Sequence, residues 1–283
     1  VVKLRHGSLF SGIGGIELGF EWAGIETVWQ VEINPFSNRV LEARWPGVHR
    51  ELDVRTAGKH NLEPVDIISG GFPCQDISIG GRKAGLGTAD APTERSGLWF
   101  QYHRVVEELR PRWVLIENVS RLRDHGADQV IDDMEGIGYA CWPQVVDAES
   151  LGAPHGRDRT FIFCCDNAYR DGYLGEIMAG ARPVESAASL PPDFQGPLAQ
   201  AGEKWDYWKH ELGSGNDGQD GGAAEPESDA YARGVRAAHG IPDWSHRLKA
   251  CGNAVVPEIP ALFGLFIQQC ESRLAEEAQA PVL

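Results

Sequence analysis

The 283-residue chain contains no stretch approaching the roughly 20 apolar residues of a membrane helix, and its opening VVKLRHGSLF has no signal-peptide apolar core. A membrane protein is therefore not expected, and a cytoplasmic one is. None of its six cysteines forms a CxxC pair, and no His/Cys cluster has zinc-ligand spacing. That excludes a zinc-centred fold and points to reduced thiols. A basic excess is missing too: 26 Lys and Arg face 41 Asp and Glu, a net charge of −15. Such a surface does not suit phosphate as a whole, so any nucleic-acid site must be a locally basic cleft. No internal repeat is present.

Hydrophobic residues make up 42% of the chain and charged ones 24%, as in an ordinary globular domain. Strand-like apolar runs fall at Leu9–Phe10 with its lead-in, Thr27–Ile33, Val65–Ser69, Trp113–Glu117, Ala140–Val146 and Thr160–Cys164. Helix-like stretches lie between them at Ile16–Ala23, Pro35–Trp45, Leu98–Leu109 and Ala127–Ile137. This alternation predicts an α/β fold with a mostly parallel, doubly wound sheet covered by helices on both faces. Residues 1–165 are expected to form this domain. Residues 166–245 change character, with 14 acidic against 6 basic residues and the loop-like patch Gly213–Asp229, and predict a small separate lobe. Residues 246–283 are expected to return to the sheet through a helix from about Glu258 to Glu277.

Near the N-terminus, LFSGIGGIELGF (Leu9–Phe20) reads as a strand, a glycine-rich turn and a helix start. Such a turn lets backbone approach a ligand closely. Glu32 ends the next strand 20 positions past Gly12, where an acid can grip a ribose hydroxyl pair. The dinucleotide fingerprint GxGxxG is incomplete, since Glu17 stands where the third glycine belongs and would repel a pyrophosphate. A nucleoside without phosphates is the expected ligand. Asp53 could meet an adenine amino group, or be an ordinary loop aspartate.

Downstream stand GGFPCQDIS (Gly70–Ser78), with Cys74 at the mouth of a loop; WVLIENVSRL, with Glu117 and Asn118 at the end of an apolar strand; and GAPHGRDRTFIF, with Arg157 and Arg159 on one extended face. RLKACGNAVVPEI carries Gly252 to Val255 ahead of the last helix. In open parallel sheets ligands gather at strand C-terminal ends, so Cys74 and Glu117 are expected to face one crevice.

FSGIGG, PCQ, ENV, RDR and GNAV, in this order and spacing, resemble the motifs of the cytosine-5 DNA methyltransferases, over Leu4–Cys165 and about Gly240–Gln269. The resemblance implies a prokaryotic or phage enzyme with an S-adenosylmethionine-binding Rossmann-like fold, methylating carbon 5 of cytosine in double-stranded DNA. Cys74 would be the nucleophile at carbon 6. Glu117 would contact ring nitrogen 3, Arg159 the base carbonyl and the thiolate's field, and Arg157 would support the loop. Phe10, Ser11, Gly12, Gly14, Gly15, Glu32, Ile33, Asp53, Val54, Pro73, Leu98, Asn253 and Val255 would bind the cofactor. A stacked base hides carbon 6, so the cytosine must flip out. Ser78–Gly97 has the makings of a loop that closes over it, and Gln75, Ser78, Arg82, Lys83 and Arg95 would touch DNA. By the same resemblance residues 166–245 would read the target sequence. The family usually has glutamine where His155 stands, which suggests a pH-dependent contact. A monomer is expected, with a host restriction endonuclease as an expected partner. Transfer-RNA cytosine methylation and a catalytically inactive DNA-binding module are the alternatives.

Overall fold

The RHGSL run forms β1 (Arg5–Leu9), in which four of five residues are buried. A strand covered on both faces belongs inside a sheet. β1 pairs in parallel with β2 (Glu26–Val31) on one side and β4 (Ile67–Gly70) on the other. The computed structural model describes residues 2–73, 96–151, 156–170 and 244–279. Within them β3 (His49–Glu51), β5 (Trp113–Val119), β6 (Tyr139–Asp147) and β7 (Asp158–Asp166) complete one seven-stranded sheet in the order β3-β2-β1-β4-β5-β7-β6. β7 runs antiparallel to β5 and β6; the other pairs are parallel.

The helices are α1 (Gly15–Trp22), α2 (Pro35–Arg44), α3 (Trp99–Leu109), α4 (Leu122–His125), α5 (Ala127–Gly136), α6 (Asn167–Arg170), α7 (Trp244–Asn253) and α8 (Glu258–Gln279). Strand periodicity divides β5 between two cores. Val114 and Ile116 pack with Trp99, Tyr102 and Val106 of α3 and Val130 and Met134 of α5. Trp113 and Leu115 pack with Ile16 and Phe20 of α1 and Ile259 and Ile267 of α8. The sheet is therefore covered on both faces, as the alternation predicts. α8 is tied to β5 by Glu271, whose carboxylate accepts from Trp113 Nε1 at 2.7 Å and pairs with Arg112.

Glycine permits the close approach of α1 to α8. A Cβ on Gly19 would overlap the Pro257 carbonyl oxygen, and one on Gly15 the Val255 carbonyl oxygen.

Several boundaries differ from the sequence expectation. β2 stops at Val31 because the next residue, Glu32, turns its carboxylate back to the backbone amides of Gly12 and Asn34. β4 starts at Ile67; Asp66 ahead of it accepts from the Arg5 amide at 2.8 Å. α4, α6 and α7 have no counterpart among the expected elements. The final helix begins at Glu258 as expected, and Asn253 is the last residue of α7. A 3-10 turn at Ser96–Leu98 takes up the end of the expected closing loop. The rest of that loop, residues 78–95, and most of the expected lobe, residues 171–243, lie outside the described residues.

Candidate active site

The register places the predicted site residues at one edge of the sheet. Leu9 is level with Val31 and with Gly70, and Gly70 with Ile116. Antiparallel β7 brings its beginning to the same edge, with Arg159 opposite Val119. β1 connects through α1 to β2 on one side, while β4 lies on its other side, so the order reverses between β1 and β4. A crevice is expected at such a switch point.

Beyond β1 the chain turns sharply. Phe10, Gly12 and Gly14 all have positive φ, at 54°, 58° and 88°. Glycine accepts that geometry freely, whereas Phe10 holds it under strain, as residues at functional sites often do. A side chain on Gly12 would meet nothing within 4 Å, so its backbone faces open space. Its amide donates to Glu32 Oε2 at 2.7 Å, and the Asn34 amide donates to Glu32 Oε1 at 2.6 Å. Burial raises the pKa of Glu32, with those amides opposing. Next to it Ile33 is 66% exposed. An open glycine backbone, a carboxylate aligned by two backbone amides and an exposed apolar side chain suit a nucleoside's sugar and base.

The Ser11 hydroxyl donates to Ser8 Oγ at 2.9 Å and its amide to the Val31 carbonyl, fixing the turn to both strands. Asp53 caps a following turn and pairs with Arg55, the ordinary loop role; Val54 is buried, and its carbonyl accepts from Arg104. Leu98 packs on the core beside α3. Pro73 is half-buried at the end of the described stretch.

At the end of β5, Glu117 is 8% exposed and pairs with Arg159, whose Nε stands 3.1 Å from Oε1. Burial raises the Glu117 pKa to about 7, against the opposing charges of Arg159 and Arg157. Gly71 packs on this carboxylate so closely that a Cβ there would overlap Glu117 Oε2. Asn118 Nδ2 donates to the Phe72 carbonyl at 3.2 Å. Two neighbouring residues of β5 thus hold the segment that leads into Cys74. Arg157 turns elsewhere: Nη1 donates to the Gly252 carbonyl at 2.8 Å and Nη2 to the Ala254 carbonyl at 2.7 Å. Through Val255 the same segment lies against Gly15. Asn253 is exposed.

The residues brought together are therefore the turn Phe10–Gly15 with Glu32, the pair Glu117–Arg159, and Arg157 with Gly252–Val255. Cys74, Gln75, Ser78, Arg82, Lys83, Arg95 and His155 lie outside the described residues. The carbonyls that Arg157 grips carry no mark in the sequence. Asn34 could have been found by the Asn-Pro pair that opens α2, whereas the place of Gly71 against Glu117 comes from the pairing of β4 with β5. Among the described residues no group of His, Cys, Asp and Glu could hold a metal ion, and no helix is long and apolar enough to cross a membrane.

Fold and edge define a doubly wound α/β protein whose candidate site residues meet at a topological switch point. The chain belongs to the C-5 cytosine-specific DNA methylase family, whose profile matches residues 4–194. It is 36% identical over 163 residues to Type II methyltransferase M2.BsuMI of Bacillus subtilis, covering 55% of this chain and 40% of that one. It is 32% identical over 197 residues to Type II methyltransferase M.NgoBI of Neisseria gonorrhoeae, covering 64% and 60%. The chain thus spans about half the length of the curated relatives it matches. Among solved structures, one assigned as a DNA modification methyltransferase of an E. coli prophage has a TM-score of 0.51 at 26% identity, covering 67% of this chain and 56% of that one. S. pombe Dnmt2 methyltransferase shares the fold at a TM-score of 0.52 and 16% identity, over 98% of this chain and 100% of that one.

Proposed function

We propose that the chain transfers a methyl group from S-adenosylmethionine to carbon 5 of cytosine in duplex DNA. The observation that carries this reading is the Glu117–Arg159 pair, packed on Gly71 at the edge that also holds the glycine turn and Glu32. A nucleoside-type cofactor fits that turn: its backbone is open at Gly12, and no phosphate-binding third glycine follows. Phe10–Gly15, Glu32 and Ile33 would hold its adenosine part, and Val255 would lie by its methionine part. When bound, S-adenosylmethionine supplies an electrophilic methyl group.

The remaining chemistry belongs to the chain. Carbon 5 of cytosine is a poor nucleophile until a thiolate adds at carbon 6. Cys74 forms that bond, and the electrons of the ring double bond move toward carbon 5 and the N3 side of the ring. Glu117, about half-protonated at neutral pH, donates to N3 in its protonated form and stabilises the adduct. Arg159 holds the base carbonyl and orients Glu117. After methylation a base removes the carbon 5 proton, the double bond reforms and the thiolate leaves. The target must be flipped out for this, with residues 78–97 closing over it. Residues 166–245 would read sequence, and a host restriction endonuclease would be the partner of a Type II enzyme.

The test is bisulfite sequencing of DNA from a host expressing the chain, wild type beside Cys74→Ala. Protected cytosines in one fixed context, lost in the variant, are expected. Their absence in the wild type, or methylation of transfer RNA in their place, would overturn the reading. A duplex carrying 5-fluorocytosine in that context should then become covalently bound at Cys74.

A further inference from the structure

Glu17 is the third residue of α1, directly behind the glycine turn, and it is fully buried. The sequence pattern suggests an acid facing the ligand; the structure instead seals it beneath the turn. The Ser8 and Ser11 side chains lie beside its carboxyl and oppose the effect of burial on its pKa. Gln30 Nε2 approaches Oε1 at 3.5 Å from β2, while Oε2 has no hydrogen-bond partner among the described residues. A buried carboxyl with an unfilled oxygen is costly to keep for packing alone.

We infer that Glu17 is a positioning residue for the methyl donor, filling the floor of the glycine turn beside Ser8 and Ser11 and meeting the donor's positive charge from beneath. The inference rests on the cofactor reading above. Ser11 is fixed by its amide to Val31 and by its hydroxyl to Ser8.

The surroundings leave Glu17 responsive. From the end of β2, Glu32 adds a second negative charge, and burial does most to raise the Glu17 pKa to about 7. From β3, Arg50 reaches only as far as Gln30, through Nε to Oε1 at 3.0 Å, and is otherwise held by Glu42 and the Leu41 and Trp45 carbonyls. On β1 the His6 ring packs on Phe20 of α1 and is kept neutral by burial, its pKa lowered to about 3. α8 meets α1 through Pro257 and Pro260, and the acid of its first turn is Glu258. No guanidinium or ammonium therefore neutralises Glu17 among the groups named. S-adenosylmethionine carries a fixed sulfonium charge, which favours the ionised carboxyl in a region that salt screens poorly. Binding and proton loss are then linked, and each strengthens the other.

The experiment is calorimetric titration of the full chain with S-adenosylmethionine from pH 6 to pH 8, wild type beside Glu17→Gln. Wild-type affinity should rise about tenfold across that range, following ionisation through pH 7, while the variant's rises less than about twofold. The amino group of the donor titrates alike in both, so the difference isolates Glu17. Repeating the wild-type titration in buffers of different ionisation enthalpy should show proton release near pH 7, even if the variant does not fold. S-adenosylhomocysteine, which lacks the sulfonium charge, should give the shallower pH dependence. Parallel profiles in wild type and variant, or no proton release, would overturn the inference with the cofactor reading intact. Failure of the wild type to bind S-adenosylmethionine at any pH would overturn both.

Discussion

Arg159 Nε stands 3.1 Å from Glu117 Oε1, and Gly71 closes over the opposite oxygen of the same carboxylate. The pair joins β5 to β7, which run antiparallel, so a strand end and a strand beginning supply one site. Burial and the guanidinium act on Glu117 in opposite directions. Burial wins, and the carboxyl is left near half-protonated at neutral pH. That is where an acid serves both as donor and as acceptor.

We predict that Glu117→Gln lowers the single-turnover methylation rate by about 10²- to 10⁴-fold, the usual contribution of a positioned acid. The wild-type rate should also fall as pH rises through about 7, because the proton needed at N3 is lost with the Glu117 pKa. The variant should lack that limb. A wild-type rate still climbing from pH 7 to 9 would remove Glu117 from the role of donor.

Gly19→Ala tests the α1–α8 contact without touching the ligand edge. The added Cβ would overlap the Pro257 carbonyl oxygen, and backbone cannot yield as a side-chain tip can. We expect a loss of about 1–3 kcal/mol, typical of overpacking. Gly47→Ala, with nothing within 4 Å, should stay within about 0.5 kcal/mol of wild type. Urea denaturation of both variants decides it. Equal midpoints would mean that the helices separate easily.

These tests probe features of unequal visibility in the sequence. Five of the seven strands are legible because each carries an apolar run; β1, with Leu9 as its one large apolar residue, is marked by the glycine turn that follows it, and β3 is only His49–Glu51 and exists through pairing with β2. Glu117 and Arg159 stand out because a charged residue beside a buried strand needs a reason. Their mutual pairing follows only from the antiparallel return of β7, which strand–helix alternation does not reveal. Glu17 is misleading for the same reason: its place in α1 is legible, but the burial that turns it from ligand to floor is tertiary. Arg157 is legible as a charge; its partners are carbonyl oxygens more than ninety residues away, which no side chain announces.

His6 governs acid stability. Its ring is buried between Thr27 Oγ1 at 2.9 Å and Ser69 Oγ at 2.7 Å, and its pKa falls from 6.5 to about 3. Below pH 6.5 the unfolded chain takes up a proton that the native state refuses, so stability present above that pH is lost as pH falls. Between pH 6.5 and pH 5 the loss should be about 2 kcal/mol. His6→Gln should be less stable at pH 7 but nearly insensitive to His-linked acidification over that interval. Chemical denaturation at the two pH values provides the comparison. An equal loss in both proteins would assign the acid limb to carboxylates.

Arg157 and Arg159 offer the sharpest separation, because neighbouring guanidinium groups have different partners. Arg157 spans two carbonyls, of Gly252 and Ala254, and this segment rests against Gly15 of the cofactor turn. A lysine cannot reproduce that fork, having one compact ammonium in place of a planar guanidinium. Losing about 1.5–3 kcal/mol of charge-assisted bonding should loosen Gly252–Val255. Arg157→Lys should therefore weaken S-adenosylmethionine binding about 10- to 100-fold. Arg159 bonds to Glu117 and the Asp158 carbonyl, and neither bond reaches the cofactor turn. Arg159→Lys should leave cofactor affinity within about twofold, a change too small to signal a lost contact, and lower the methylation rate with saturating cofactor. Calorimetry and single-turnover rates on the two variants give the split directly. If both variants lose cofactor affinity alike, the clasp between Arg157 and the Gly252–Ala254 carbonyls is not what holds that segment to the turn.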